Sequence, residues 1–433
     1  MKGAIFSISR IIALIIAVVV CFTLASVGEW LRALSMLVSA YLFLHYSKLS
    51  EQRHGFSIGY LFVFMIVYVT NSAIACAYTD ERMRELSSVG EFGYWMGDNY
   101  GIYFVVTTIF YLILIFYLHR STPFVLRSVR CSDLTESDRT GLDIGAIVLA
   151  VCALLFDSYE FTLPVFVYFF MRLISDGKNK VFSAVVLILL FFVFPESILY
   201  RYRAVCIILP VMMMYLIRKP EKKMPLWTSV LISVAVVAMM ALYGIISECY
   251  KLHYSFSEVM RDEYYRSYFF RHQIYRVFSI WIKLGGYIIY HVQTYGFFYG
   301  ATYVKSIINL LGGDGPSLPK IAAYYDDAVY AQPGILAEGY ANYGIIGAVL
   351  NLCLVYFLME WLHKRYISNP TYSTLFFATI PFTQILLDGG TFNSAFYLIV
   401  VLIVFHLPKA MLKHDSPIFL RSYQIKKHSV RYD

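Results

Sequence analysis

Charge is scarce in this chain. Asp, Glu, Lys and Arg make up 15% of its 433 residues, against roughly 25% in a soluble globular protein. Motifs for common cofactors are missing too: there is no Walker loop, no nucleotide-binding glycine fingerprint and no zinc-ligand histidine pair. Internal repeats and low-complexity tracts are also lacking. These absences leave no energy-coupling nucleotide site and no expectation of a metal or cofactor. The seven cysteines, Cys21, Cys76, Cys131, Cys152, Cys206, Cys249 and Cys353, are scattered without paired ligand spacing. Cys76 and Cys249 lie near ends of apolar runs and could pair; the alternative is that they are small buried hydrophobes.

What the chain has in abundance is apolar sequence. Hydrophobic residues reach 59% and the mean hydropathy is +0.63. A single water-soluble core does not absorb that much, whereas a bilayer core about 30 Å thick takes about 20 apolar residues per helix. The expected fold class is therefore an all-α polytopic membrane protein of about twelve transmembrane helices. The apolar runs lie at 11–27, 31–47, 58–77, 102–118, 142–156, 161–174, 181–195, 204–217, 226–247, 335–359, 372–387 and 394–408. Around Asp157, Ser158, Tyr159 and Glu160 a tight polar hairpin and a re-entrant turn read alike.

Lys and Arg set the expected orientation. With the N-terminus inside, inner segments collect 22 of the 36 basic residues. Both termini are then cytoplasmic, the first run is a signal anchor, and most of the +8 net charge is topological, with no nucleic-acid partner implied. The organisation expected is an N-terminal transmembrane bundle over 1–247, a large outer loop over 248–334, C-terminal transmembrane helices over 335–408 and a basic tail over 409–433.

Three polar places stand against the apolar background. The first is PESILYRYR, 195–203, where Arg201 and Arg203 sit in a short outer loop beside Glu196. They read either as snorkelling interfacial charges or as a cationic lip for an anionic, lipid-linked ligand.

The second is the outer loop, too long for a simple connection. Over 264–290 its apolar residues Phe270, Ile274, Val277, Phe278, Trp281, Gly285 and Ile288 recur at helical spacing. Opposite them lie His272, Arg276, Ser279 and Lys283, with Arg271 on the flank. An amphipathic helix resting on lipid gives that pattern, and so does a basic stripe aimed at a diphosphate. Farther on come the turn-rich GGDGPSLPK, 312–320, and then Asp326 and Asp327, which read as solvated charges or as acid, base or sugar-binding groups.

The third is GILAEGYANYGIIG, 334–347. Pro333 and Gly334 mark a helix start, and Glu338 and Asn342 project from one face a turn apart. Gly339, Gly344 and Gly347 allow a second helix to approach closely. Glu338 is either a first-turn carboxylate complementing the helix end or part of a buried polar pocket.

The run GILAEGYANYGIIGAVLNLCLVYFL, 334–358, resembles the Wzy-type O-antigen polymerases, the oligosaccharide repeat unit polymerases. Their E/D-x-Y-x-N-[FY]-G-x-x-G pattern matches Glu338, Tyr340, Asn342, Tyr343, Gly344 and Gly347. The R-x10-G spacing of some members is not met from Arg276, because Gly285 and Gly286 come early. The resemblance implies a glycosyltransferase C-like fold in a bacterial inner membrane and a large periplasmic loop. It also implies an undecaprenyl-diphosphate-linked oligosaccharide as substrate, membrane lipid as a partner and a chain-length regulator protein as another. By position, Arg276, Arg271 and Arg203 would handle the diphosphate. Glu338 would act as base, with Asp326 or Asp327 as substitutes, and Arg201, His272, Lys283, Tyr340 and Asn342 would line the substrate. An O-antigen ligase and a lipid-linked sugar flippase or transporter are the alternatives.

Overall fold

The structure, a computed structural model, describes residues 2–30, 32–38, 92–120, 137–156, 159–174, 180–195, 253–263, 280–305, 311–325 and 333–368, with isolated positions elsewhere. Its principal elements are helices: α1 Lys2–Ser26, α2 Phe92–Arg120, α3 Ser137–Phe156, α4 Tyr159–Ile174 and α5 Lys180–Val193, followed by α6 Phe256–Arg261, α7 Ile280–Tyr295, α8 Leu318–Tyr325 and α9 Ile335–Ser368.

Burial follows helical spacing. In α3 Leu142, Ala146, Leu149 and Ala153 are buried while Ile144, Ile147, Val151 and Leu155 face outward. In α1 the buried stripe is Ala17, Val20 and Leu24, and in α5 Ser183, Leu187 and Leu190. The outward faces of these three helices are also apolar, with Val19, Phe22, Val181, Ile188 and Phe192 exposed. Helix α3 packs along α4 and α4 along α5; residues 157 and 158, where the hairpin and re-entrant readings divide, lie outside the described residues. Farther along, α7 packs on α2, α8 and α9, and α2 on α9. One hydrophobic cluster runs through both groups.

The expectation of about twelve membrane-spanning helices is overturned. With it goes the expectation of a multi-pass inner-membrane protein with both termini cytoplasmic. Among the described residues only the run Ile335–Leu362 is long and apolar enough to cross a membrane. The other apolar helical runs, Leu14–Ser26, Gly101–Leu114, Gly141–Leu155, Phe161–Leu173 and Lys180–Val193, have 10–17 residues. At 1.5 Å per residue they reach about 15–26 Å, short of a hydrocarbon core about 30 Å thick. Counting apolar runs as spans assigns to lipid what the fold assigns in part to protein. In α4 every residue from Phe161 to Phe169 is buried, so that helix is apolar all round because it lies inside the bundle. The runs at 58–77, 204–217, 226–247, 372–387 and 394–408 lie outside the described residues, save isolated positions.

The described part of the 264–290 helix also differs from a surface amphipath. Residues 284–289 of α7 are all buried. Tyr103 of α2 fits against Gly285, where any Cβ would collide with its hydroxyl. Cys249 is buried beside Ile245 and Val259 in a small separate cluster, and Cys76 lies outside the described residues.

Candidate functional site

The helical pattern of α9 runs on through residues 343–344, but the backbone does not. Tyr343 (φ −143°, ψ 24°) and Gly344 (φ 64°, ψ −150°) leave helical geometry, and the Gly344 conformation is one that side chains disfavour. Two contacts show how far the chain turns there. A Cβ built on Gly339 would lie 2.5 Å from the Gly347 carbonyl oxygen and 2.7 Å from the Ala348 Cα. Asn351 Nδ2 donates to the Ile335 carbonyl at 3.3 Å. In a straight helix these pairs would stand about 12 and 24 Å apart. Residues 335–342 therefore fold back against residues 345–352, with Tyr343 at the tip. The apolar run that satisfies the membrane-crossing criterion by length is a helical hairpin, not a rod.

A glycine-punctuated loop, 296–303, closes over the end of the first arm. Gly296, Tyr299 and Gly300 all have positive φ, which lets the chain turn sharply across the hairpin. Phe298 N donates to the Ala341 carbonyl at 2.9 Å, satisfying one of the acceptors a helix end leaves open. Asn342 ties loop and arm together. Its Oδ1 accepts from Gly300 N at 2.8 Å, and its Nδ2 donates to Thr302 Oγ1 at 2.6 Å and to the Glu338 carbonyl at 2.8 Å. The buried carboxamide is thus satisfied at both ends.

Glu338 is only 2% exposed and lies close enough to Tyr303 to act on it electrostatically. Tyr303 donates to Asn351 Oδ1 at 2.9 Å. Burial, and then the Glu338 carboxylate, push the Tyr303 phenol well above the ordinary tyrosine range, so it stays protonated and keeps its proton to donate at neutral pH. The result is a largely buried polar node, carboxylate beside phenol beside two carboxamides, between the arms and the loop.

Next to the node an open cleft of about 380 Å³ lies between α7, the 314–317 turn and α8. His291 Nδ1 lies 3.0 Å from Tyr325 Oη, and burial lowers the imidazole below its ordinary value, leaving it neutral at pH 7. Lys305 Nζ donates to Ser317 Oγ at 3.1 Å. Cleft and node communicate through one ring: His291 stacks on Phe298 at 6.0 Å and 10°, and Phe298 caps the first arm.

Glu338, Asn342 and Tyr340 are brought together in the first arm, where Tyr340 is buried edge-on against Phe297 at 6.2 Å. Lys283 lies in α7, its side chain outside the described residues. Arg201, Arg203, Arg271, His272, Arg276, Asp326 and Asp327 also lie outside them. Sequence reasoning missed Thr302, Tyr303 and Asn351 in the node, and His291, Lys320, Tyr324 and Tyr325 in the cleft. The signal for the first group is the pair Gly296 and Gly300 within GFFYGATY, a spacing that marks a turn. A second buried polar cluster, Asp143, Tyr168 and Arg172, joins α3 to α4; its signal is a lone charge in each of two apolar runs.

No curated protein and no solved structure matches this chain. Residues 1–424 match a family described as a family of unknown function, DUF6032, and the chain belongs to that family.

Proposed function

We propose that this protein is a glycan transferase that uses a polyprenyl-diphosphate-linked oligosaccharide, in the manner of the repeat unit polymerases its 334–358 run resembles. The observation that carries the reading is Glu338, a buried carboxylate held beside a protonated phenol, one aromatic ring away from a tyrosine-lined cleft. In the reaction an acceptor hydroxyl attacks the anomeric carbon of the donor sugar and the bond from that carbon to the diphosphate oxygen breaks. The hydroxyl proton passes to Glu338, the base. The leaving diphosphate gathers negative charge and needs fixed cations. Arg276, Arg271 and Arg203 are the groups for this task. The apolar outer faces of α1, α3 and α5 offer the lipid tail of the substrate a surface that water covers poorly.

Replacement of Glu338 tests the reading in a cell whose surface glycan depends on this gene. Glu338→Gln should accumulate to the wild-type level and abolish the polymer ladder, leaving lipopolysaccharide capped with single repeat units. A ligase defect would leave no units on the core, and a flippase defect would stop export as well. If Glu338 serves only as a first-turn carboxylate, the same substitution costs about 1–2 kcal/mol of stability, the upper range for a buried helix-end charge, and the ladder persists. A full ladder at normal protein level overturns the catalytic assignment.

A further inference from the structure

We infer that the cleft between α7 and α8, apart from any part in glycan transfer, binds a zwitterion: an ammonium group joined through a short link to a phosphate. Its volume, about 380 Å³, falls in the range of small-molecule sites, roughly 300–1,000 Å³. The lining holds one charge of each sign, Asp314 on the turn and Lys320 in α8. Both are exposed, and among the described residues neither side chain has an ion-pair or hydrogen-bond partner. Lys305 is engaged with Ser317 and is not part of the lining. His291 adds no charge at pH 7, because burial lowers its imidazole. The lining is therefore balanced. A simple anion would face Asp314 and a simple cation Lys320, whereas a ligand that carries both charges meets a partner for each.

The aromatic walls decide which charge goes where. Tyr295, Tyr324 and Tyr325 line the cleft. Tyr324 and Tyr325 stand 5.2 Å apart at 88°, a corner and not a pair of parallel plates, so the walls suit a compact group better than a flat ring. Ring faces are negative and attract cations, above all alkylated ammonium groups, whose surface is apolar as well as charged. The tyrosines and Asp314 thus favour the ammonium end, and Lys320 takes the phosphate. Lys320 and Tyr324 lie four residues apart in α8, on one face and about 6 Å along the axis. That separation fits a phosphate and an ammonium joined by a two-carbon link.

Phosphocholine is such a molecule, and choline and inorganic phosphate are its two halves. Their binding to the full chain in a maltoside detergent can be followed by saturation transfer to the choline methyls and by the phosphorus line width of the phosphates. At low salt phosphocholine should bind about fivefold more tightly than choline, the upper end for one exposed ion pair. It should bind roughly 2–5-fold more tightly than inorganic phosphate, the worth of an exposed cation–π contact. Lys320→Ala should weaken phosphocholine about fivefold and leave choline no weaker. Asp314→Asn should weaken both by up to about fivefold, and Tyr324→Ala both by roughly 2–5-fold. All three positions are exposed, so none of these variants threatens folding. Glycerophosphocholine separates the sources: binding at least as tight as that of phosphocholine marks a lipid headgroup, and weaker binding marks a free phosphate monoester. Equal binding of phosphocholine and choline, inorganic phosphate binding as tightly as phosphocholine, indifference to Lys320→Ala or to Tyr324→Ala, or no binding to the wild-type chain overturns the proposal.

Discussion

Arg172→Met is expected to destabilise the folded chain by about 3 kcal/mol, the lower end of what breaking a buried ion pair costs. The Arg172 guanidinium, 5% exposed, donates through Nη1 to Asp143 Oδ1 and, at 3.3 Å, to the Tyr168 hydroxyl. Tyr168 itself donates to Asp143 Oδ1 at 2.6 Å. Removing the cation leaves a carboxylate facing a phenol between two apolar helices. Water reaches the Asp143 side chain, which is 23% exposed, and this holds the cost near the bottom of the range. The companion variant, Asp143→Leu with Arg172→Met, removes both charges and should regain most of the loss, because an apolar pair of similar volume is often neutral or better. Urea unfolding of the two single variants and the double variant in detergent checks this. Additive losses would show that the two groups do not act as a pair.

Gly339→Ala should cost about 3 kcal/mol, although alanine is the better helix former by about 1 kcal/mol. The new methyl would meet backbone, the Gly347 oxygen at 2.5 Å and the Ala348 Cα at 2.7 Å. Neither can rotate aside as a side chain could, so the arms must separate, and overpacking of this kind costs 1–3 kcal/mol and occasionally more. Separation would also pull Asn351 from the Ile335 carbonyl. Gly101→Ala in α2 is the control, since its added Cβ meets nothing within 4 Å. There the helix preference acts alone, and stability should rise by about 0.5–1 kcal/mol. Thermal unfolding of the two variants should therefore shift in opposite directions. A shift of the same sign would mean that the arms do not touch at Gly339.

The apolar helices were legible in the sequence because their buried residues recur at three- and four-residue steps, as Leu142, Ala146, Leu149 and Ala153 do. How many of them cross a membrane was not. Hydropathy records that Phe166 avoids water but not whether its neighbours are lipid or Phe191, which in fact lies 5.1 Å away. Glu338 and Asn342 stood out as polar residues within an apolar run. The partners that define their setting did not, because Gly300 and Thr302 come from about 40 residues upstream and no local pattern links them. The fold-back at Tyr343 was hidden for a different reason. The residues on either side keep helical spacing, and glycines that let two separate helices approach read the same as glycines that let one helix meet itself.

That self-contact imposes a rule on length. Positions equally distant from Tyr343 face each other: Ile335 meets Asn351 and Gly339 meets Gly347. One residue gained or lost between the two glycines would turn an arm by about 100° and set a side chain where the backbones touch. It would also swing Glu338 or Asn351 away from Tyr303. Away from the glycines at the contact and the tip, substitutions in this stretch can be absorbed one at a time, but insertions and deletions cannot. Chains of this family that keep the fold should hold seven residues between these glycines, while the loops around the hairpin remain free to grow or shrink.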